Sequence, residues 1–281
     1  MSGTLFVVAT PIGNLEDVTL RALRVLRDVD LIAAEDTRRT AKLLSHHGIP
    51  TPTMSFHAHN TRGRLPQLLS RLRGGQSIAL VSDAGTPGVS DPGEELIRAC
   101  VEENIAVDPI PGASAPLAAV VASGFPMLPL TVFGFSPNKA GPRMAWLATI
   151  AGIRHTVAFF ESPLRVARTL NEAAVFLGDR PIAVARELTK IHQQVLRGNC
   201  AELAALLTNV RGEITVVVGP AKEPAVVAAP PDESVVAAEF RSLTNIAGST
   251  RRSAVSALAA RFQLSSREIY SIIERNKTSG E

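Results

Sequence analysis

Short apolar runs and longer amphipathic stretches alternate along the first half of the chain. The apolar runs have the length of buried strands, and the amphipathic stretches repeat their apolar residues with the period of a helix. Strands that alternate with helices in this way predict right-handed crossovers and a mostly parallel sheet. The predicted strands are 4–10, 30–35, 77–82 and 105–112, and the predicted helices are 20–29, 37–47, 62–75 and 93–104.

The alternation restarts further along the chain, but some of the strands there follow one another without a helix between them. The predicted strands are 130–135, 155–162, 181–187, 191–198 and 212–219, and the predicted helices lie near 142–151, 164–177 and 199–209. Adjacent strands favour a mixed sheet in this half. We therefore predict an α/β fold with an N-terminal α/β domain over 1–113 and a C-terminal α/β domain over 114–220.

The last part of the chain differs in composition from the rest. Residues 221–233 are rich in Pro and Ala and have neither period, which predicts a linker. Residues 234–281 are predicted to form a helical module, with two amphipathic helices and Ser265 or Ser266 as the N-cap of the second. The spacing resembles a helix-turn-helix that binds nucleic acid, and a small helical appendage or dimerisation piece is the alternative.

Composition and charge describe an ordinary globular protein. The chain has 281 residues, 46% hydrophobic and 20% charged, and its net charge of +3 permits a polyanionic partner without requiring one. No leader or membrane-spanning segment is evident in the sequence, so we expect a cytoplasmic protein. Cys100 and Cys200 are far apart and belong to no Cys/His cluster, which predicts two reduced structural thiols and no metal site.

Three loops rich in Gly, Pro and Ser follow predicted strands at 9–14, 82–88 and 111–116. None of them contains a Walker lysine or a G-x-G-x-x-G pattern, which argues against a kinase or an NAD dehydrogenase. Such loops are common as simple connectors. Ligands of α/β sheets, however, bind beyond the carboxyl ends of strands, and three loops at equivalent positions favour a shared cleft that holds a ligand by main-chain contacts.

Several segments carry a resemblance to a known family. The chain resembles the tetrapyrrole methylase superfamily and, within it, the branch that methylates ribosomal RNA, over residues 4 to 219. The segments that carry the resemblance are VVATPIGNLEDVTLRAL, AEDTRRT, VSDAGTPGVSDPG, PIPGASA, FGFSP, FFESPLR, ARELTK and RGEITVVV.

The resemblance implies two α/β domains with S-adenosylmethionine in the cleft between them, and a homodimer. It also implies methyl transfer to the ribose 2′-hydroxyl of a cytidine in the decoding region of 16S rRNA, within the 30S ribosomal subunit. The cofactor-binding residues that it implies are Pro11, Asp83, Ala84, Gly85, Thr86, Ser114, Ala115, Phe160, Ala185, Gly212, Glu213 and Ile214.

Deprotonation of a ribose hydroxyl requires a base or a water relay. The candidates in the motifs are Glu35, Asp36, Arg38, His57, His59, Glu161, Glu187 and Lys190. We expect Glu35, Arg38 and His57 near the substrate, with His57 favoured as the base because imidazole titrates near neutral pH. Two positions depart from the family pattern, since Ala58 stands where an acid is common and Leu164 where a histidine is common.

Contacts with RNA phosphates are expected from scattered arginines, and the scarcity of aromatic residues argues against a base-stacking platform. These arginines are Arg38, Arg39, Arg62, Arg64 and Arg143. Two other functions remain open from the sequence. One is a methyltransferase that acts on a small tetrapyrrole-like molecule, and the other is an RNA-binding assembly factor without catalytic activity.

Overall fold

A computed structural model describes residues 2–88, 91–221, 233–244, 250–262 and 264–278. The chain forms two compact units, Met1–Lys222 and Glu223–Glu281. The first unit holds two β-sheets with their helices, and the described part of the second unit is helical. The predicted α/β fold with two sheets is therefore confirmed. The predicted domain boundaries remain predictions, and most of the predicted linker lies outside the described residues.

The first sheet is parallel and has the strand order β3-β2-β4-β1-β5. Its strands are β1 (Thr4–Val8), β2 (Leu31–Ala34), β3 (Thr53–Ser55), β4 (Ile78–Val81) and β5 (Ala106–Ile110). Its helices are α1 (Leu20–Asp28), α2 (Thr37–His46), α3 (Thr61–Arg73) and α4 (Glu94–Glu102). Four of the five strands and all four helices match the predictions, and β3 was not predicted.

Both faces of this sheet are covered, which is why its strands read as continuous apolar runs. In β2, Leu31 and Ala33 face a core that includes side chains of α3 and α4. Ile32 and Ala34 face the opposite core, which includes side chains of α1 and α2. With apolar contacts on each side, the strand ends are the places where polar loops can meet a ligand.

The second sheet is mixed and has the order β6-β7-β10-β8-β9, in which only β6 and β7 pair in parallel. Its strands are β6 (Leu130–Phe135), β7 (Thr156–Glu161), β8 (Ile182–Arg186), β9 (Gln194–Gly198) and β10 (Ile214–Val218). The accompanying helices are α5 (Ala115–Ser123), α6 (Ala140–Gly152), α7 (Val166–Leu177) and α8 (Cys200–Leu206). The prediction of a mixed sheet is confirmed.

Helix α5 was not predicted, and it joins the two halves of the first unit. Its sequence, APLAAVVAS, is apolar on all sides. It therefore lacks the periodic alternation of apolar and polar residues from which an amphipathic helix is predicted. Ala119 and Val120 of α5 pack in one core with Ala183 and Ala185 of β8 and with Ile12 from the loop after β1. This shared core fixes the loops of the first sheet against the second sheet.

The second unit contains helices α9 (Glu233–Thr244), α10 (Arg251–Phe262) and α11 (Ser266–Thr278), which share a core of aliphatic side chains and Phe240. The two predicted helices are α10 and α11, and α9 is an addition. Ser265 is the N-cap of α11, as predicted, since its hydroxyl accepts the Glu268 N–H at 3.2 Å and its own N–H donates to the Glu268 carboxylate at 2.7 Å.

The predictions about thiols, metals and membranes can be compared with the described residues. Cys100 on α4 and Cys200 on α8 are free and buried, as predicted. Within the described ranges, no group of His, Cys, Asp and Glu side chains is placed to hold a metal ion. None of the described helices combines the length and the apolar character that crossing a bilayer requires.

Candidate functional site

The three predicted loops meet at one edge of the first sheet. They follow β4, β1 and β5, which are neighbours in that sheet, and parallel strands present their carboxyl ends on the same side. Thr10 and Gly85 exchange backbone N–H···O bonds of 2.9 and 3.0 Å, which joins the first loop to the second. A Cβ on Gly112 would lie 2.9 Å from the Cβ of Ala9, so the third loop also packs closely on the first.

A cavity of about 450 Å³ lies between these loops and the ends of β7, β8 and β10 of the second sheet. Phe160, Ala185, Ile214 and Thr215 line it on the side of the second sheet. The opposite side includes Asp83, Ala84, Gly85 and Thr86 of the loop after β4, together with Glu35. The wall on the second sheet is therefore mainly apolar, and the opposite wall carries carboxylates and small residues.

Most residues predicted to bind the cofactor line this cavity. They are Asp83, Ala84, Gly85, Thr86, Ser114, Ala115, Phe160, Ala185, Gly212, Glu213 and Ile214. Pro11 is not among the lining residues, whereas its neighbour Ile12 is. The structure thus brings together residues that are distant in sequence, and their roles in binding remain predictions.

Acidic residues join the loop after β2 to the loop after β4. The Asp83 N–H donates to the Glu35 carboxylate at 3.1 Å, and the Asp36 N–H donates to the Asp83 carboxylate at 3.1 Å. Arg39 lies 3.3 Å from the other oxygen of Asp83. Burial raises the pKa of Glu35, and the hydrogen bond from Asp83 partly offsets this rise. The network places two carboxylates and one guanidinium on the cavity wall.

The three residues predicted to lie near the substrate are not gathered around the cavity. Glu35 lines it, but Arg38 and His57 do not. The Arg38 side chain is 89% exposed and pairs with Asp36 at 2.8 Å. The Nδ1 atom of His57 is buried and has no hydrogen-bond partner among the described residues, and its ring contacts His59 edge-on. Of these three, Glu35 alone faces the cavity in this structure.

Glu161, another candidate base, is buried and saturated with donors. Its carboxylate accepts hydrogen bonds from Ser136, from Thr169 at 2.6 Å and from the Ser162 N–H at 2.6 Å, and it pairs with Arg165 at 2.8 Å. Thr169 lies on α7 and Arg165 is its N-cap residue, so these contacts hold the end of β7 to α7.

Glu187 and Lys190 form a second anchor beside the cavity. Lys190 donates to Glu187 at 2.8 Å, which lowers the pKa of that carboxyl, and the Glu213 N–H donates to the same oxygen at 2.9 Å. Gly212 has a φ of +95°, and a Cβ there would lie 2.4 Å from the Glu187 side chain. Only glycine fits this position, which brings the 212–214 backbone against the cavity.

The prediction that Arg143 contacts RNA is wrong. Arg143 lies on α6 and is buried at 1% exposure, where it pairs with Glu172 at 2.6 Å and donates to the carbonyls of Pro137 and Asn138. Because it is buried, the Arg143 guanidinium is not accessible to an RNA phosphate. Arg39 lines the cavity, and Arg62 and Arg64 lie in the first turn of α3 with solvent-accessible side chains.

Other cavity residues were missed or not assigned to the site. They are Ile12, Asp91, Pro116, Phe135, Ser162, Pro163, Leu188 and Thr215, together with Arg39, which was predicted only as a contact for RNA. Asp91 lies in the segment VSDAGTPGVSDPG that also supplies Asp83, but its SDPG context is typical of a turn. The departures at Ala58 and Leu164 are both exposed and neither lines the cavity.

The sequence profile of the tetrapyrrole (corrin/porphyrin) methylases matches residues 4–204, which include the whole first sheet and the strands β6 to β9 of the second. The chain belongs to the tetrapyrrole methylase family. Its fold agrees with that membership, since a uroporphyrin-III C-methyl transferase from Thermus thermophilus complexed with S-adenyl homocysteine superposes with a TM-score of 0.56. The two sequences are 18% identical, and the superposition covers 77% of this chain and 97% of the transferase chain. At this identity the likeness shows the fold alone.

Within the tetrapyrrole methylase family, the chain is most usefully compared with relatives that match it from end to end. A ribosomal RNA small subunit methyltransferase I from Synechocystis sp. is 46% identical over 276 residues, covering 96% of this chain and 97% of that protein. A protein of the same name from Streptococcus pyogenes serotype M1 is 40% identical and covers 96% and 94% of the two chains. The match therefore extends beyond the shared methylase core.

Proposed function

We propose that this protein transfers the methyl group of S-adenosylmethionine to the 2′-hydroxyl of a cytidine ribose in the decoding region of 16S rRNA. The observation that carries the proposal is the 46% identity over 96% of the chain to a protein named ribosomal RNA small subunit methyltransferase I. The tetrapyrrole-modifying neighbour covers 77% of the chain. With an rRNA substrate, we expect the enzyme to act in the cytoplasm and to bind the 30S subunit.

The cavity has the chemistry that S-adenosylmethionine requires. A volume of about 450 Å³ lies in the range of sites for ligands of this size. Phe160, Ala185 and Ile214 offer apolar contact to the adenine ring, and the backbone of 83–86 offers hydrogen bonds without side chains in between. The carboxylates of Glu35 and Asp83 complement the positive charge of the sulfonium and ammonium groups.

When bound, S-adenosylmethionine supplies an electrophilic methyl group. The task left to the protein is to orient the ribose hydroxyl in line with that methyl and to accept the hydroxyl proton. Arg39 places a positive charge at the carboxylate side of the cavity, and Arg62 and Arg64 add charge at the start of α3. Phosphate contacts through these side chains predict RNA binding that weakens with salt.

We also propose a homodimer. Leu117 and Val121 lie one turn apart on α5 and are exposed, and Met127 and Leu128 are exposed a few residues beyond its end. Contiguous exposed aliphatic side chains of this kind are typical of protein interfaces. A second copy of the chain is the partner that the family resemblance implies.

The proposal is tested by supplying tritiated S-adenosylmethionine with either 30S subunits or a corrinoid precursor. We expect label in the RNA of the 30S subunits and none in the corrinoid. Label in the corrinoid alone would identify a small-molecule methyltransferase instead. An RNA-binding factor without catalytic activity would label neither, and titration with S-adenosylhomocysteine would then give no heat.

A further inference from the structure

Three carboxylates line the cavity at the edge of the first sheet. Glu35 follows β2, Asp83 follows β4, and Asp91 precedes α4. They come from two segments that the sheet brings together, and Arg39 of α2 lines the cavity beside them. The three groups differ in what holds them, and this difference separates their chemical roles.

Glu35 and Asp83 are each engaged by donors. Glu35 accepts the Asp83 N–H, while Asp83 accepts the Asp36 N–H and pairs with Arg39. These contacts join the two loops. The two side chains are therefore suited to holding the loops and the positively charged methyl donor.

Asp91 takes no part in the contacts that join the two loops. Among the described residues, its carboxylate meets the Ser82 hydroxyl, whose hydrogen bond lowers the pKa of Asp91, and that hydroxyl also lies 3.4 Å from the carbonyls of Ala84 and Gly85. The side chain is half-buried and faces the cavity. A carboxylate on the cavity wall with spare acceptor capacity can receive a proton without breaking the site.

We propose that the Asp91 carboxylate is the base that removes the proton from the acceptor ribose hydroxyl. This inference rests on the proposed function. As the oxygen–carbon bond to the methyl group forms, the carbon–sulfur bond breaks and its electron pair stays on sulfur, while the hydroxyl proton passes to Asp91. The products are the 2′-O-methyl ribose, neutral S-adenosylhomocysteine and a protonated Asp91, which returns its proton to water.

The surroundings of Asp91 tune it for this role. Burial raises the pKa of Asp91 to about 7, and the negative charges of Glu35 and Asp83 add to the rise, while the Ser82 hydroxyl opposes it. Arg39 is directed to Asp83 and balances that charge. A base works best when its pKa lies near the working pH, so Asp91 fits the role that the sequence favoured for His57, which does not line the cavity.

The test replaces Asp91 with asparagine, which keeps the shape and removes the basic oxygen. We expect Asp91→Asn to lower kcat on 30S subunits by about 10²- to 10⁴-fold and to leave the affinity for S-adenosylhomocysteine within about threefold. In the wild type, kcat should rise with pH and level off above about 7, and the variant should lose this rise. The matched control is Asp108→Asn. Asp108 lies on β5 and forms an exposed ion pair with Arg21 of α1, so its replacement should leave kcat and its pH profile unchanged.

Thermal unfolding gives a readout that does not depend on turnover. The folded-state pKa of Asp91 lies above its ordinary value near 3.8, so the wild type loses stability as pH rises from about 4 to about 7. Asp91→Asn removes this loss and should melt at a higher temperature than the wild type at pH 8, with the difference shrinking towards pH 4. A variant that melts lower at pH 8 would show that the anion of Asp91 is a structural group and would overturn the proposal.

The remaining outcomes separate this inference from the proposed function. A wild type that labels 30S subunits together with an equally active Asp91→Asn would overturn the role of Asp91 and keep the function. Loss of the pH-dependent rise in Glu35→Gln, with its retention in Asp91→Asn, would assign the proton to Glu35 instead. A wild type that binds S-adenosylhomocysteine but does not label 30S subunits would overturn both proposals.

Discussion

Replacement of Gly85 by leucine should reduce the affinity for S-adenosylhomocysteine by more than about 100-fold, while the chain stays folded. Gly85 lines the cavity where the three loops meet, and a Cβ there would lie 3.6 Å from Ile12 and 3.8 Å from the Ala113 carbonyl. These are ordinary contact distances, so the Cβ itself fits. The rest of a leucine side chain has to occupy space that the ligand needs.

The control for Gly85→Leu has to account for backbone strain, because Gly85 has a φ of +77°. Leucine in this conformation costs about 1–2 kcal/mol wherever it is placed. Gly124 ends α5 with a φ of +78°, and a Cβ there meets no atom of the described part of the chain within 4 Å. Gly124→Leu should therefore lose similar stability and keep its affinity in calorimetric titration. Equal affinities for the two variants would refute the placement of the ligand beside Gly85.

Replacement of Glu172 by alanine should destabilise the protein by about 3–5 kcal/mol, the usual cost of leaving one partner of a buried ion pair alone. Arg143 is almost completely buried, and Glu172 accepts from both its Nε and Nη2 atoms at 2.6 and 2.9 Å. Without Glu172, the partners that the guanidinium keeps among the described residues are the carbonyls of Pro137 and Asn138. Denaturant unfolding of the wild type and the variant measures the difference.

The effect of Glu172 should depend on pH in a defined direction. The hydrogen bonds from Arg143 lower the pKa of Glu172 to about 2, from an ordinary value near 4.5. Its contribution is therefore complete above pH 4.5 and is lost as pH falls towards 2. The exposed pair of Arg73 and Glu103 is the matched control, and Glu103→Ala should destabilise the protein far less, because solvent screens an exposed ion pair. Equal losses for Glu172→Ala and Glu103→Ala would contradict the account of the buried pair.

The sequence predicts the parts of this fold whose periods are strong. Short strand-like segments, most of them apolar, identified nine of the ten strands, and helical periods identified most helices of the first unit. Strand β3 has three residues and exists because it pairs with β2, which no local pattern reveals. Helix α5 is apolar on all sides, and a helix without a polar face has no amphipathic period to reveal it: Ala119 and Val120 pack in the core that joins the two halves, whereas Leu117 and Val121 are exposed.

The same distinction applies to the site. The loops after β1, β4 and β5 were predicted to converge because glycine and proline mark them and parallel topology aligns them. Arg143 was misassigned because a sequence does not show that Glu172, on α7, lies opposite it. Asp91 was not singled out because its turn-like context conceals a position on the cavity wall that depends on long-range packing.

The central claim is that this chain methylates a ribose hydroxyl in small-subunit rRNA. Its most direct test is nucleoside analysis by mass spectrometry of 16S rRNA from 30S subunits that have been incubated with the protein and S-adenosylmethionine. The account predicts 2′-O-methylcytidine above the level in untreated subunits, and no increase with Gly85→Leu. A methyl group on a base, or no increase in any methylated nucleoside from unmethylated subunits, would contradict it.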